Sequence, residues 1–141
     1  MSRPNLTLAD LIVIVGLGNI GGYVAELTLR ARLARRLLLV DRDTYGPGNL
    51  AGQAIAAGDI GVPKALAQAR RQRRIDPTAE VEGVVASVEA LPLGRLRGAA
   101  VLGCLDSRRA RQVLFDACWR LGVPYIDAGV LADGLLARIS V

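Results

Sequence analysis

The sequence predicts an α/β fold, a doubly wound, mainly parallel sheet with helices on both faces, and three observations carry that expectation. Apolar runs of strand length alternate with longer stretches of helical period. The runs lack polar alternation, as strands covered on both faces do. A glycine-rich turn, Gly16-Leu17-Gly18-Asn19-Ile20-Gly21-Gly22, follows the first run and opens a helix, which makes the arrangement Rossmann-like. With 141 residues, 52% of them apolar, and a mean hydropathy of +0.35, the chain is expected to be a single domain with a well-filled core.

The elements follow in order. Leu11-Ile12-Val13-Ile14-Val15 places the first strand at residues 11–16, and the glycine turn leads into a helix at 20–33. Leu37-Leu38-Leu39-Val40 places the second strand at 36–41. A helix at 62–74 closes on Arg70-Arg71-Gln72-Arg73-Arg74, where cations suit the helix dipole and the open carbonyls. Strands at 80–86 and 99–104, a helix at 107–121, a strand at 124–128 and an additional strand near 134–140 complete the expectation. Ligands of such sheets bind beyond the carboxyl ends of the strands. Those ends carry residues 16–22, 41–43, 106–109 and 127–129, four acidic or glycine-rich turns expected on one edge.

Composition excludes several functions. The net charge is +5 and the isoelectric point near 10.0, but the basic residues are spread from Arg3 to Arg138 without interleaved aromatic rings. The cluster at 70–74 therefore reads as a solvated helix end, and no nucleic-acid partner is expected. The apolar runs are far shorter than the roughly 20 residues of a membrane crossing, so no membrane association and a cytoplasmic location are expected. There is no histidine, and Cys104 and Cys118 lack C-x-x-C spacing, so neither a zinc site nor a disulfide scaffold finds its ligands. Both cysteines read as buried structural thiols. Lys64 is the only lysine among 18 basic residues, which points to a task that arginine cannot perform.

In the glycine turn, Gly16 permits the tight bend, Gly18 lets the backbone approach a phosphate, and Gly21 lets the helix pack closely on the strand. The helix N-terminus then offers free N–H groups to an anion. Asp41, at the end of the second strand, has the position of a ribose acceptor, while the adjacent Arg42 points to the opposite face. A dinucleotide such as NAD and a triphosphate such as ATP satisfy these features equally.

The segment Asp41-Arg42-Asp43-Thr44-Tyr45-Gly46-Pro47-Gly48-Asn49-Leu50-Ala51-Gly52-Gln53, followed by Gly61-Val62-Pro63-Lys64-Ala65, resembles the adenylating domain of the ubiquitin-activating superfamily, the ThiF/MoeB/HesA proteins. Those proteins carry D-x-D, then N-L-x-R-Q, then G-x-x-K-A. The resemblance continues through Ile75-Asp76-Pro77, Cys104-Leu105-Asp106-Ser107 with Arg109 and Arg111, and Gly122-Val123-Pro124, and so spans essentially the whole chain. It implies an ATP- and Mg²⁺-dependent adenylyltransferase that activates the C-terminal carboxylate of a ubiquitin-like or sulfur-carrier protein ending in Gly-Gly, releasing pyrophosphate. It further implies nucleotide contacts from Gly16, Gly18, Asn19, Gly21, Asp41, Asp43, Asn49, Gln53 and Lys64, a catalytic charge from Lys64, and a catalytic, Mg²⁺-binding carboxylate in Asp106. Three of these have local alternatives: Lys64 as a solvated helix start, Asp106 as a helix N-cap, and Asn49 as a turn residue.

The sequence departs from the family pattern at Gly52, which stands where N-L-x-R-Q has arginine. The family's preceding helix, with an arginine directed at a partner's nucleotide, is not expected here; Arg3 and Arg42 are the substitutes at hand. The chain reaches Val141 soon after the crossover at 129–134 begins. A fragment of a longer fold is therefore expected, or a minimal domain completed by homodimerisation or by another chain. Three functions remain: an adenylyltransferase, a nucleotide-binding or scaffold module without catalysis, and an NAD-dependent oxidoreductase domain supported only by the glycine turn and Asp41.

Overall fold

The computed structural model describes residues 9–130 and 137–141. Its centre is the strand β1 (Ala9–Val15), whose Ile12, Val13, Ile14 and Val15 are all buried because side chains on both faces of the sheet meet helices or turns. The chain continues through α1 (Gly21–Arg30), β2 (Ala34–Asp41), α2 (Lys64–Ile75), β3 (Glu80–Val85), β4 (Ala99–Gly103), α3 (Arg108–Leu121), β5 (Tyr125–Val130) and β6 (Ala137–Ser140). The sheet order is β3-β2-β1-β4-β5-β6, with the first five strands parallel and β6 antiparallel at the edge. Val13 lies in register between Leu38 and Val101. The expected Rossmann-like architecture is the observed one.

Alternate residues of each strand supply two cores. On one face Ile12, Ile14, Leu37 and Leu39 pack with Ala25 and Leu29 of α1 and Ala65 and Ala69 of α2. On the other, Val13, Val15, Leu38, Val40 and Val101 pack with Leu114, Ala117 and Cys118 of α3. The small residues of α2 bring it close to the sheet: a Cβ on Gly83 of β3 would run into the carbonyl of Ala65. The crossover from β3 to β4 carries a short 3-10 turn, Leu93–Leu96, where the other crossovers carry a helix. Buried Leu91 and Leu96 cover that part of the sheet.

Some boundaries differ from expectation, each for a local reason. The helix expected to reach residue 33 stops at Arg30, because Arg32 takes a left-handed conformation (φ 54°) that turns the chain into β2. The strand expected at 124–128 runs on to Val130 because it pairs with β6, so Asp127–Gly129 is strand and not a turn. The additional strand is present as Ala137–Ser140, and residues 131–134 of the expected crossover lie outside the described residues, as does Arg3. No helix among the described residues is long and apolar enough to cross a membrane.

The basic cluster on α2 is largely engaged within the fold. Arg70 pairs with Asp59 at 2.8 Å, Arg71 with Glu26 of α1 at 3.0 Å, and the Arg73 Nε donates to the Val81 carbonyl at 3.1 Å. Glu26 also accepts from Arg30 at 2.9 Å, so one carboxylate clamps α1 to α2. The hydrogen bond from Arg30, and after it that from Arg71, holds the Glu26 carboxyl below its ordinary value. A carboxyl depressed in the folded state stabilises the fold above its unfolded pKa and loses that contribution as pH falls through the folded one. Glu26→Gln should therefore cost about 0.5–1 kcal/mol at neutral pH in urea denaturation. The difference from wild type should close as the pH is lowered below the carboxylate range.

Candidate functional site

Because β1, β2 and β4 are parallel, their carboxyl ends bring the glycine turn, the Asp41 segment and the Asp106 loop to one edge. The ladder extends into this edge: the Gly16 N–H donates to Val40 at 2.9 Å and the Cys104 N–H to Val15 at 2.8 Å. Gly16 has φ 92°, and a Cβ there would sit 2.5 Å from the Cys104 carbonyl oxygen. A Cβ on Gly21 would run into the Gly16 carbonyl. These two glycines are required by the fold itself. Gly18 is different, since its Cβ would meet only the Gln53 Nε2, at 3.8 Å, and so the turn is open on the side where a ligand would approach.

Asp41 performs a structural task before it meets any ligand. One carboxylate oxygen accepts from the Leu17 N–H at 2.8 Å and the other from the Asp43 N–H at 2.7 Å, which ties the glycine turn to the end of β2. A carboxylate has about four acceptor positions, so capacity for ribose hydroxyls remains. Asp43 is exposed, with Arg42 beside it at 3.7 Å.

Lys64 is not a solvated helix start. It is the first residue of α2, only 8% exposed, with Nζ 5.2 Å from the centroid of the Tyr45 ring. Among the described residues no carboxylate pairs with it, so the ammonium of this largely buried lysine has the Tyr45 ring beside it and no counter-charge. Its position is fixed by backbone, through Lys64 N–H to the Asp43 carbonyl at 2.8 Å and the bridge between Thr44 and Pro63. Tyr45 itself is 1% exposed. Its hydroxyl donates to the Leu17 carbonyl and accepts from the Gln68 Nε2, both at 2.9 Å.

Asn49 uses its Oδ1 to accept the Gly46 N–H at 2.8 Å within the 3-10 turn Pro47–Ala51, so the turn role is real for that atom. The Gln53 side chain reaches back towards Gly18, and its Oε1 is buried without a hydrogen-bond partner among the described residues. A buried orphan acceptor of this kind asks for a donor from a bound molecule. Gly52 has φ −136°, open to any residue, and a Cβ on it would meet Asn19 Oδ1 at 3.5 Å. Asn19 and Gly52 thus face each other across the mouth, and backbone conformation does not demand glycine at 52.

Asp106 is not the cap of α3. Ser107 takes that role, its Oγ accepting from the Ala110 N–H at 3.3 Å, and Asp106 is left exposed beyond β4 with no hydrogen bond to the described residues. Arg111 fastens this loop from behind, donating to the Leu105 carbonyl at 2.8 Å and pairing with Asp127 at 3.1 Å. Tyr125 donates to the same Asp127 at 3.0 Å. Asp127 is therefore committed to the fold. Cys104 and Cys118 are both free, and burial pushes each thiol up to about 11, which keeps them protonated and poorly nucleophilic near neutral pH. No group of three or more acidic, histidine or cysteine side chains gathers among the described residues, so a cation at Asp106 would need a ligand's own oxygens to fill its shell.

The edge therefore assembles Gly16, Gly18, Asn19, Gly21, Asp41, Asn49, Gln53 and Lys64, with Asp43 at its rim and Asp106 on the loop that follows β4. Sequence reasoning missed Tyr45 and Gln68, which connect the glycine turn to α2. The available signal was an isolated aromatic residue inside a glycine- and asparagine-rich turn, where solvent exposure would be costly. It also missed Arg111 as the support of the Asp106 loop.

Comparison with known proteins places this geometry. A family model described as the ThiF family matches residues 8–138. The ubiquitin-like modifier-activating enzyme 5 of Oryza sativa subsp. japonica is 28% identical over 92% of this chain and 34% of its own length. The sulfur carrier protein ThiS adenylyltransferase of Bacillus subtilis is 32% identical over 81% of this chain and 35% of its own. The chain thus spans about a third of the length of these relatives. Among solved structures, the E. coli tRNA N6-threonylcarbamoyladenosine dehydratase TcdA in complex with ATP superposes with a TM-score of 0.79 at 26% identity, over 89% of this chain and 53% of that one. E. coli MccB with AMPCPP and MccA superposes at 0.81 over 97% of this chain and 41% of that one, and at 22% identity it shares the fold.

The glycines separate fold from ligand. Gly21→Ala should cost about 2–3 kcal/mol in urea denaturation, since a backbone carbonyl has to move. Gly18→Ala should stay within about 0.5 kcal/mol of wild type. Its effect should appear instead as a smaller thermal shift with ATP.

Proposed function

The chain belongs to the ThiF family, and from that premise we propose that it binds ATP at the carboxyl edge of β1, β2 and β4 and adenylates the C-terminal carboxylate of a small ubiquitin-like or sulfur-carrier protein ending in Gly-Gly. The single observation that carries this reading is Lys64, a largely buried lysine whose ammonium has no carboxylate partner among the described residues, on the same edge as a glycine turn open at Gly18. A triphosphate supplies the anion that such a charge requires. That TcdA, a superposable relative, is seen with ATP supports ATP over NAD as the nucleotide. The glycine turn and Asp41 alone do not distinguish the two.

In the proposed reaction an oxygen of the carrier carboxylate attacks the α-phosphorus of ATP. The bond from that phosphorus to the oxygen bridging to the β-phosphate breaks, and the electron pair leaves with pyrophosphate. The product is an acyl-adenylate. A carboxylate nucleophile has no proton to lose, which suits a chain without histidine. The work left to the protein is positioning and charge. Gly18 and the start of α1 receive phosphate oxygens, Asp41 accepts from the ribose, Lys64 balances charge as it builds on the phosphates, and Gln53 Oε1 takes a donor from the nucleotide or the carrier. Asp106 would hold Mg²⁺, whose contribution is to neutralise phosphate oxygens; an exposed carboxylate without protein partners, close to no other ligand group, fits an ion that keeps its remaining shell for phosphate and water. The proposal includes a cytoplasmic setting and a second chain, another copy or a different protein, beside β6, the edge strand among the described residues.

A second reading, nucleotide binding without turnover, is favoured by Gly52, which withdraws a cation from the mouth. Exchange of labelled pyrophosphate into ATP, with a Gly-Gly carrier present, separates the two. The adenylyltransferase reading predicts carrier-dependent exchange that falls roughly 100-fold in Lys64→Ala. Binding of ATP without exchange, with exchange gained on Gly52→Arg, would establish the second reading. An absence of ATP binding would remove both.

A further inference from the structure

We propose that Tyr45 is a positioning residue for the nucleotide site, its ring seating the Lys64 ammonium while its hydroxyl fastens the glycine turn, so that phosphate cradle and counter-charge keep one fixed spacing. The inference rests on the reading of Lys64 as the cation that meets the phosphates. It starts from an anomaly of placement: the largest fully buried side chain near the edge rises from an irregular stretch of glycine, asparagine and proline, not from a strand or helix.

Every polar and aromatic feature of Tyr45 is used. The hydroxyl donates to the carbonyl of Leu17, whose own N–H is held by Asp41, so both backbone polar groups of that residue within the turn are pinned. The Gln68 Nε2 donates to the same hydroxyl at 2.9 Å and to the Ala54 carbonyl at 3.0 Å, which joins α2 to the segment carrying Gln53. The ring stands 5.2 Å from Lys64 Nζ. Backbone bonds make ring and ammonium one body: Tyr45 N–H donates to Val62 at 3.0 Å, Gly61 N–H to Tyr45 at 2.8 Å, and Lys64 N–H to Asp43 at 2.8 Å. Burial pushes the Tyr45 hydroxyl up to about 12, so it remains the donor to Leu17 throughout the physiological range.

A lysine stem has four rotatable bonds, and an ammonium without a counter-charge would otherwise sample many positions in the surrounding water. A π-face holds the charge without neutralising it, whereas a carboxylate would compete with the phosphates for the same cation. A tyrosine therefore suits this place better than an acid. If Tyr45 merely filled volume, replacing it would lower stability and leave the dependence of ATP affinity on Lys64 unchanged.

Two measurements on the intact chain test this. Because Lys64 is the only lysine, selective ¹³C-lysine labelling gives one side-chain spin system. Its Hε signals should lie upfield through the ring current in wild type and in Tyr45→Phe, and should return to the ordinary lysine position in Tyr45→Leu. Calorimetric titration of ATP with Mg²⁺ then closes a double-mutant cycle. Tyr45→Leu, which loses ring and hydroxyl together, should weaken ATP roughly 25- to 50-fold in the wild-type background and about fivefold, the share of the turn alone, beside Lys64→Ala. Tyr45→Phe, which keeps the volume and the ring, should weaken ATP about fivefold through the loosened turn while leaving the Lys64 signal in place. Equal losses for Tyr45→Leu in both backgrounds, wild-type affinity in Tyr45→Phe, or a Lys64 signal at the ordinary position in wild type would each overturn the proposal. ATP affinity indifferent to Lys64→Ala would overturn the reading of Lys64 itself, a result recognisable because the Lys64 signal would still be shifted upfield by Tyr45.

Discussion

The carboxyl edge of this sheet depends on backbone meeting backbone at the exit of β1. Gly16 abuts the Cys104 carbonyl and Gly21 abuts the Gly16 carbonyl, so α1 starts directly against the strand that precedes it. No side chain intervenes, and none can. That contact brings the first turn of α1 to the edge between β1, β2 and β4, where the positive end of a helix dipole favours an anion. Asp41 holds the other side of the turn by accepting from Leu17 and Asp43. The fold thus presents a helix N-terminus at this edge as a consequence of how closely it packs, with Gly18 a glycine of the turn whose Cβ position is open.

Charge is distributed over this edge unevenly. Most arginines on α2 are tied to Asp59, Glu26 and the Val81 carbonyl, so they stabilise the domain and do not reach the mouth. Lys64, at the start of α2 and largely buried, has no carboxylate partner among the described residues, and its ammonium lies over the Tyr45 ring. Asp106 lies on the loop that follows β4, released from capping by Ser107 and backed by Arg111 through the Leu105 carbonyl. The place opposite Asn19 is held by Gly52, where a Cβ would be in ordinary contact with the Asn19 side chain. Relative to the motif it resembles, the edge is short of one positive charge at this position.

The strands were legible because a parallel sheet buried on both faces writes itself as uninterrupted apolar sequence, as in residues 11–15 and 37–40. The glycine turn was legible because it combined a strand before it with a helix after it, and Lys64 because it is unique among arginines. Other features depend on contacts with no local trace. Tyr45 meets Leu17 and Gln68 across 28 and 23 residues of sequence, and nothing in the surrounding turn has a period that signals burial. Asp127 looked like a turn acid because alanine and glycine follow it, yet β6 pairs with that stretch and Arg111 and Tyr125 claim the carboxylate. The short crossover between β3 and β4 escaped notice as an element because two buried leucines, and not a helical period, cover the sheet there.

The central claim is that this mouth is built for a nucleoside triphosphate and not for a dinucleotide. Parallel calorimetric titrations of the chain with ATP and with NAD, each in the presence of Mg²⁺ and at the same concentrations, test it most directly. The account predicts one ATP bound per chain and no measurable heat of binding for NAD. Binding of NAD without ATP, or equal binding of both, would contradict it.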